Sequence, residues 1–158
     1  AHTPVSLARA LEAARPMTPG RLVAVFGSAG LRDVEKRSLM AETALRLADY
    51  TVLTAEDPRT ESLETILAQM AEGAERAGGR EGQDFARIPD RVAAIQWAVD
   101  MAQPGDTLLI CGKGHERSMC FGALEHPWSD QAVLAWALER RLGLTEDPPP
   151  YRLPTAAH

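Results

Sequence analysis

Short apolar runs alternate along this chain with longer stretches of helical periodicity. Leu22–Phe26 is a continuous apolar run, which is typical of a strand buried on both faces of a sheet. Residues 36–49 then place apolar side chains at the three- and four-residue spacing of a helix. The same order recurs, and it predicts strands over residues 22–26, 50–54, 85–88 and 107–111 and helices over residues 6–14, 36–49, 62–77, 90–102 and 130–142.

This alternation of strands and helices predicts an α/β fold. Strands separated by helices are joined by right-handed crossovers, so we expect a Rossmann-like, mainly parallel sheet with helices on both faces. No internal repeat and no boundary divides the chain, which predicts one domain over residues 1–158 with the Pro-rich residues 145–158 as a loose tail. Ligands of such sheets bind beyond the carboxyl ends of the strands.

Composition and charge exclude several classes of protein. With 158 residues, 45% hydrophobic and 25% charged, the chain is long and apolar enough to bury a core. A net charge of −5 argues against a nucleic-acid partner, which would require a basic surface. No stretch approaches the roughly 18 apolar residues of a membrane span, and no signal peptide is recognisable, so no membrane partner is expected.

The two cysteines predict neither a disulfide framework nor a metal site. Cys111 lies in a buried-looking strand, and a pair of cysteines is too few for a framework, which favours a cytoplasmic location. Cys111, His115 and Cys120 match no common zinc spacing and lack a fourth ligand, so no metal is expected.

The loop after the first strand suits an anion. It carries Arg32, Asp33, Lys36 and Arg37 before a helix N-terminus, where cationic side chains and free backbone N–H groups attract phosphate or carboxylate. A solvated turn is the alternative. Residues 27–30 form neither a dinucleotide fingerprint nor a P-loop, so the chain has no recognisable ATP cradle.

Residues 56–60, Glu-Asp-Pro-Arg-Thr, follow the second strand. A proline turn before a helix cap is one interpretation. The other is functional, because the acids Glu56 and Asp57 beside Arg59 suit a ligand with both ammonium and carboxylate groups, such as an amino acid.

Residues 112–116, Gly-Lys-Gly-His-Glu, follow the last predicted strand of the sheet. The two glycines allow a ligand to approach the backbone closely. Lys113, His115 and Glu116 add an ammonium, a base and an acid, so this loop is the third candidate for a binding site.

In this order the motifs resemble the C-terminal domain of the Mur ligases, most of all the members that add the third residue of the muramoyl peptide. Residues 1–4, Ala-His-Thr-Pro, match the start of that domain. Residues 27–40 resemble Gly-x-Gly-Gly-Asp-Arg-Asp-x-x-Lys-Arg-Pro-x-Met, and residues 56–59 resemble Asp-Asn-Pro-Arg. Residues 112–116 match the family's Gly-Lys-Gly-His-Glu, and residues 127–130 are similar to its Pro-Phe-Ser-Asp.

The resemblance implies a role in peptidoglycan synthesis. In the family this domain binds the incoming amino acid, whose amine attacks an acyl phosphate formed on a UDP-N-acetylmuramoyl peptide. A central domain holds ATP and Mg2+, and an N-terminal domain binds the UDP group. We expect both to lie upstream of this chain, and we expect the chain alone to be inactive.

Site residues follow from the resemblance position by position. It implies that Arg32 and Arg59 bind a carboxylate of the amino acid, that Asp57 occupies an asparagine contact, and that Gly112 and Glu116 hold the far ammonium. Further candidates beside these are Asp33, Lys36 and Arg37 on the nucleotide side, and His2, Lys113 and His115.

Departures from the family pattern leave the amino acid open. The Asp-Asn-Pro-Arg form is associated with meso-diaminopimelate, and Asp57 replaces its Asn. An acid there should disfavour a nearby carboxylate, so lysine, ornithine or another diamine stands beside meso-diaminopimelate. Leu31 replaces an Asp and Ser38 a Pro, and the change at Leu31 is expected to weaken contacts on the nucleotide side.

Two other functions stay open. One is a non-catalytic binding module derived from a Mur-type ligase, which would lack a Gly-x-x-Gly-Lys-Thr loop in its upstream gene sequence. The other is a domain of a cyanophycin-synthetase-like ligase, which would not explain residues 112–116.

Overall fold

The computed structural model describes residues 2–157 and contains a four-stranded parallel sheet with helices on both faces. The strand order is β3-β2-β1-β4. The helices are α1 (Pro4–Ala14), α2 (Val34–Leu47), α3 (Leu63–Arg76), α4 (Arg91–Met101) and α5 (Asp130–Arg141). The strands are β1 (Leu22–Phe26), β2 (Tyr50–Leu53), β3 (Phe85–Arg87), β4 (Thr107–Ile110), β5 (Ser118–Phe121) and β6 (Leu124–Pro127). The predicted fold class is confirmed.

Strand β1 lies between β2 and β4, and each of its residues is completely buried. Leu22, Ala24 and Phe26 pack with α1, α2 and α3 on one face. Val23 and Val25 pack with α4 on the other. Because both faces are covered, the strand is apolar at every position, which is why it was recognisable as a continuous run.

Two helices begin earlier than their periodicity predicted, because polar side chains cap them. The Thr3 hydroxyl accepts a hydrogen bond from the Ser6 backbone N–H at 3.1 Å, so α1 starts at Pro4. The Asp33 carboxylate accepts one from the Glu35 N–H at 3.0 Å, so α2 starts at Val34. A side-chain oxygen at this position satisfies one of the free N–H groups at a helix start.

The antiparallel hairpin β5–β6 was not predicted. Its strands have no continuous apolar run and are partly exposed, so their pattern resembles a loop. The hairpin contacts the loop after β2, since Arg59 N–H donates to Cys120 O at 3.1 Å and Gly122 N–H donates to Arg59 O at 2.7 Å.

The segment after α5 packs more closely than the predicted loose tail. It contains no helix or strand within the described residues, yet Leu153 is buried and the Tyr151 ring lies 5.7 Å from that of Trp128. Thr155 Oγ1 donates to Asp90 Oδ1 at 2.7 Å. These residues are held because an apolar cluster between α4 and α5 accepts them.

Ala1 and His158, the outer residues of the predicted domain, lie outside the described residues, and so does the alanine of the Ala-His-Thr-Pro match. Within residues 2–157, no helix combines the length and apolar character needed to cross a membrane.

Candidate functional site

A cavity of about 330 Å³ lies where β1 and β2 end. Its walls come from the start of the chain, the loop after β1, the loop after β2 and the loop after β4. The predicted site residues that line it are His2, Arg32, Asp33, Lys36, Asp57, Arg59 and Glu116. The structure therefore brings together side chains from the three loops singled out in the sequence, as expected for the carboxyl edge of a parallel sheet.

Two glycines allow the loops after β1 and β2 to lie against each other. A Cβ on Gly27 would stand 2.3 Å from Thr54 O, and one on Gly30 would stand 1.9 Å from Pro58 O. The Gly30 N–H donates to Asp57 O at 2.8 Å. Backbone contact this close leaves no space for a side chain, which explains both glycines.

The backbone around the cavity is strained. Leu31, Asp57 and Arg59 have φ values of 58°, 40° and 56°, a left-handed region that side chains other than Asn and Asp rarely adopt. Leu31 is also largely exposed, so its side chain contributes little packing in return. Strain of this kind, on the order of 1–3 kcal/mol per residue, concentrates at functional sites.

Arg32 and Arg59 are the cations best placed to bind a carboxylate. Arg59 is half-buried and donates to Gly30 O at 3.0 Å, whereas Arg32 is exposed at the cavity. No acidic side chain in the described part of the chain forms an ion pair with either. Their charges are therefore not neutralised by a side chain of residues 2–157.

Asp57 is already paired, which reduces the repulsion that it was expected to exert on a ligand carboxylate. Both of its oxygens lie 3.0 Å from Lys113 Nζ, and its Oδ1 accepts the Cys120 N–H at 2.7 Å. Lys113 Nζ also lies 3.4 Å from Glu116 Oε2. The ammonium of Lys113 is buried between two carboxylates and offsets the charge of Asp57.

Glu56, an acid of the loop after β2 to which the family motif assigned no role, belongs to the cavity. It is 3% exposed, lines the cavity, and its Oε1 lies 3.0 Å from His2 Nδ1. The hydrogen bond to Glu56 raises the pKa of His2 above its usual value, and the nearby Glu116 charge acts in the same direction. Its position in the loop motif was a signal, since it matches an acidic residue of the family.

Gly112 lies behind Glu56 instead of lining the cavity. Its φ is +104°, and a Cβ there would stand 2.5 Å from Glu56 Oε2. The glycine thus lets the backbone approach the carboxylate of Glu56. His115 is exposed and does not line the cavity.

Arg37, a nucleotide-side candidate by its motif, points into the protein and does not line the cavity. It is completely buried, pairs with Glu61, and donates to Gln69 Oε1 at 2.8 Å and Ala29 O at 3.2 Å. Glu61 also accepts the Leu31 N–H at 3.0 Å. The pair ties the loop after β1 to the loop after β2, and the Arg37 hydrogen bond, followed by that of Leu31, lowers the pKa of Glu61 to about 2.

The residues present do not form a complete ATP and Mg2+ site. Residues 27–30 lack the phosphate cradle of a P-loop. Within residues 2–157, no group of three or more His, Cys, Asp or Glu side chains is arranged to hold a metal ion. Cys111 is buried, and this burial raises the pKa of its thiol, which does not suit a nucleophile.

The fold and the cavity define a class: a Rossmann-like α/β domain with a cavity lined by charged side chains at the carboxyl edge of its sheet. Residues 1–114 match the family described as "Mur ligase, glutamate ligase domain", and the chain belongs to this family. The resemblance drawn from the motifs is confirmed.

Similar proteins agree with this assignment. The chain is 46% identical over 138 residues to a UDP-N-acetylmuramyl-tripeptide synthetase of Roseiflexus sp. (strain RS-1), covering 87% of this chain and 27% of that protein. It is 44% identical over 138 residues to a UDP-N-acetylmuramoyl-L-alanyl-D-glutamate--2,6-diaminopimelate ligase of Rhizobium meliloti (strain 1021), again covering 87% and 27%. It thus spans little more than a quarter of these relatives.

A solved structure of a UDP-N-acetylmuramoyl-L-alanyl-D-glutamate--2,6-diaminopimelate ligase has the same fold. The TM-score is 0.83 at 36% sequence identity, and the match covers 90% of this chain and 28% of the other.

Proposed function

We propose that this chain is the amino-acid-binding domain of an ATP-dependent ligase of peptidoglycan synthesis. The reaction would join a diamino acid to a UDP-N-acetylmuramoyl peptide in the cytoplasm. The observation that carries this proposal is the cavity in which Arg32 and Arg59, without acidic partners among residues 2–157, lie with the carboxylates of Glu56 and Glu116. The names of the relatives support the same reaction class.

The cavity suits a ligand with opposite charges at separate points. A guanidinium can bind a carboxylate through two parallel hydrogen bonds, so Arg59 with Arg32 would hold a carboxylate of the amino acid. Glu116, which lines the cavity, would accept the far ammonium group. The domain would thereby orient the free amine for attack on the activated carboxyl of the muramoyl peptide, with displacement of phosphate.

The pairing of Asp57 bears on which diamino acid is bound. Because Lys113 neutralises Asp57, this residue alone does not reject a second carboxylate, and meso-diaminopimelate remains a candidate. Asp57, Lys113 and Glu116 together carry one negative charge, whereas an Asn in place of Asp57 would leave the group neutral. The extra negative charge favours ligands with only one carboxylate group, such as lysine or ornithine, over meso-diaminopimelate. A competition assay with all three amino acids decides the order.

ATP and Mg2+ would be held mainly by a central domain outside this chain, and a further domain would bind the UDP group. In this arrangement Asp33 and Lys36 would lie on the nucleotide side of the cavity. The 158-residue chain alone would then have no ATPase activity, since phosphoryl transfer needs the phosphate cradle and metal site.

Arg59→Ala tests the proposal in the full-length protein. Loss of a charge-assisted pair costs roughly 1.5–3 kcal/mol, or about a tenfold to hundredfold rise in KM for the amino acid. Phosphate release is measured with a UDP-N-acetylmuramoyl dipeptide and each diamino acid. Arg80→Ala is the control, because Arg80 is an exposed arginine before β3, away from the cavity. An amino-acid KM unchanged in Arg59→Ala would contradict the assignment.

A further inference from the structure

A buried arginine lies beneath the cavity and contacts two of its loops. Arg91, the first residue of α4, is completely buried. Its Nη1 donates to Ala55 O at 3.0 Å, and its Nη2 donates to Cys111 O at 2.8 Å. These carbonyls belong to the residues immediately before Glu56 and Gly112.

The two loops have no direct connection through the sheet. β2 and β4 each pair with β1, which lies between them. The guanidinium of Arg91 therefore bridges the end of β1 and joins the loop after β2 to the loop after β4. Its planar arrangement of five N–H donors suits two carbonyls and a carboxylate at once.

Asp130 holds the guanidinium in this orientation. Its Oδ1 lies 2.9 Å from Arg91 Nε, and its Oδ2 lies 3.0 Å from Arg91 Nη2. The buried Trp128 donates its indole N–H to Asp130 Oδ1 at 2.8 Å. With the carboxylate fixed from both sides, two of the three remaining N–H groups of Arg91 donate to the two carbonyls.

The contacts above this bridge tolerate little displacement. A Cβ on Gly112 would stand 2.5 Å from Glu56 Oε2, so backbone and carboxylate lie against each other. Lys113 Nζ lies 3.0 Å from both oxygens of Asp57. A shift of one loop by an ångström would break these contacts and move Glu56 relative to Glu116.

We propose that Arg91 and Asp130 form a positioning pair for the amino-acid site, holding the loops after β2 and β4 in the register that ligand binding requires. The inference rests on the proposed function. Neither residue lines the cavity, so their effect on the ligand passes through the loops. Loss of the bridge is expected to raise the KM for the amino acid at least tenfold while the KM for ATP stays within twofold, because ATP would be held mainly outside this domain.

The test uses full-length Arg91→Met and Arg91→Lys. Methionine removes all the donors, while lysine keeps a charge opposite Asp130 but cannot reach both carbonyls and both carboxylate oxygens. Val92→Ala is the matched control, because Val92 is buried in the same helix turn and its truncation lowers stability without touching either carbonyl. Melting temperature, amino-acid KM and ATP KM are measured for each variant, with the best of meso-diaminopimelate, lysine and ornithine as substrate.

A selective rise in amino-acid KM in the Arg91 variants, absent in Val92→Ala, supports the proposal. If Arg91→Met is insoluble, the same comparison is made with Arg91→Lys. Arg91 variants that keep the wild-type amino-acid KM, with or without a lower melting temperature, would overturn the positioning role of Arg91 and leave the proposed function intact. A wild-type enzyme that forms no product with any of the three amino acids would overturn both.

Discussion

The close approach of Gly112 to Glu56 predicts that Gly112→Ala destabilises the chain by more than its backbone strain. The new Cβ would stand 2.5 Å from Glu56 Oε2, well inside contact distance. At a φ of +104°, a side chain also costs about 1–2 kcal/mol in backbone strain. Moving the buried carboxylate adds about 1–3 kcal/mol, so we expect a total loss of about 2–5 kcal/mol.

Gly143→Ala separates these two contributions. Gly143 has a φ of +73° with nothing within 4 Å of its Cβ position, so its replacement should cost the backbone strain alone. Urea unfolding of the 158-residue chain measures both variants. In a Glu56→Ala background the clash is absent, and the cost of Gly112→Ala should fall to that of Gly143→Ala. Equal destabilisation by the two glycine variants in the wild-type background would refute the contact between Gly112 and Glu56.

Two further predictions concern titratable groups. His2 has a raised pKa because of its hydrogen bond to Glu56, so the stabilisation from this pair is present below about pH 6.5 and is lost as pH rises through the raised pKa. An NMR titration should show the His2 pKa falling in Glu56→Gln, and an unchanged value would mean that the pair is absent in solution. The pKa of Glu61 is lowered to about 2, so the stabilisation that its carboxylate gives the folded state is complete above about pH 4.5 and is lost as pH falls toward 2. Glu61→Gln leaves buried Arg37 without a charged partner, so we expect it to lower the free energy of unfolding by about 2 kcal/mol at pH 7, measured by urea unfolding. The stability of this variant should also fall less steeply between pH 4.5 and pH 2 than that of the wild type. The same pH dependence in the variant and the wild type would contradict the ion pair.

Several features of the site could be recognised without the structure because they belong to short continuous segments. The motifs at residues 27–40, 56–59 and 112–116 each follow a strand, and the strands of a parallel sheet end at one edge. Their meeting around one cavity followed from the α/β pattern, and Arg32 and Arg59 both line that cavity.

Other features depend on which loops face each other. Asp57 and Lys113 are far apart in the chain, so only the packed loops show that the acid is neutralised. Arg37 lies in a charged motif that indicates a surface loop, yet it points inward because Glu61 and Gln69 are there to pair with it.

The sequence by itself determined the helices, the buried strands and the family. Apolar periodicity and motif order are properties of the chain itself, and they can be recognised without knowing which residues pack against each other. Tertiary structure decided the placement of hairpin β5–β6, the docking of the segment around Leu153, and the contacts of Glu56 and Arg91. The physical reason is the same for each: these residues are stabilised by groups distant in the chain, and a buried polar side chain takes its role from the partners that the fold brings to it.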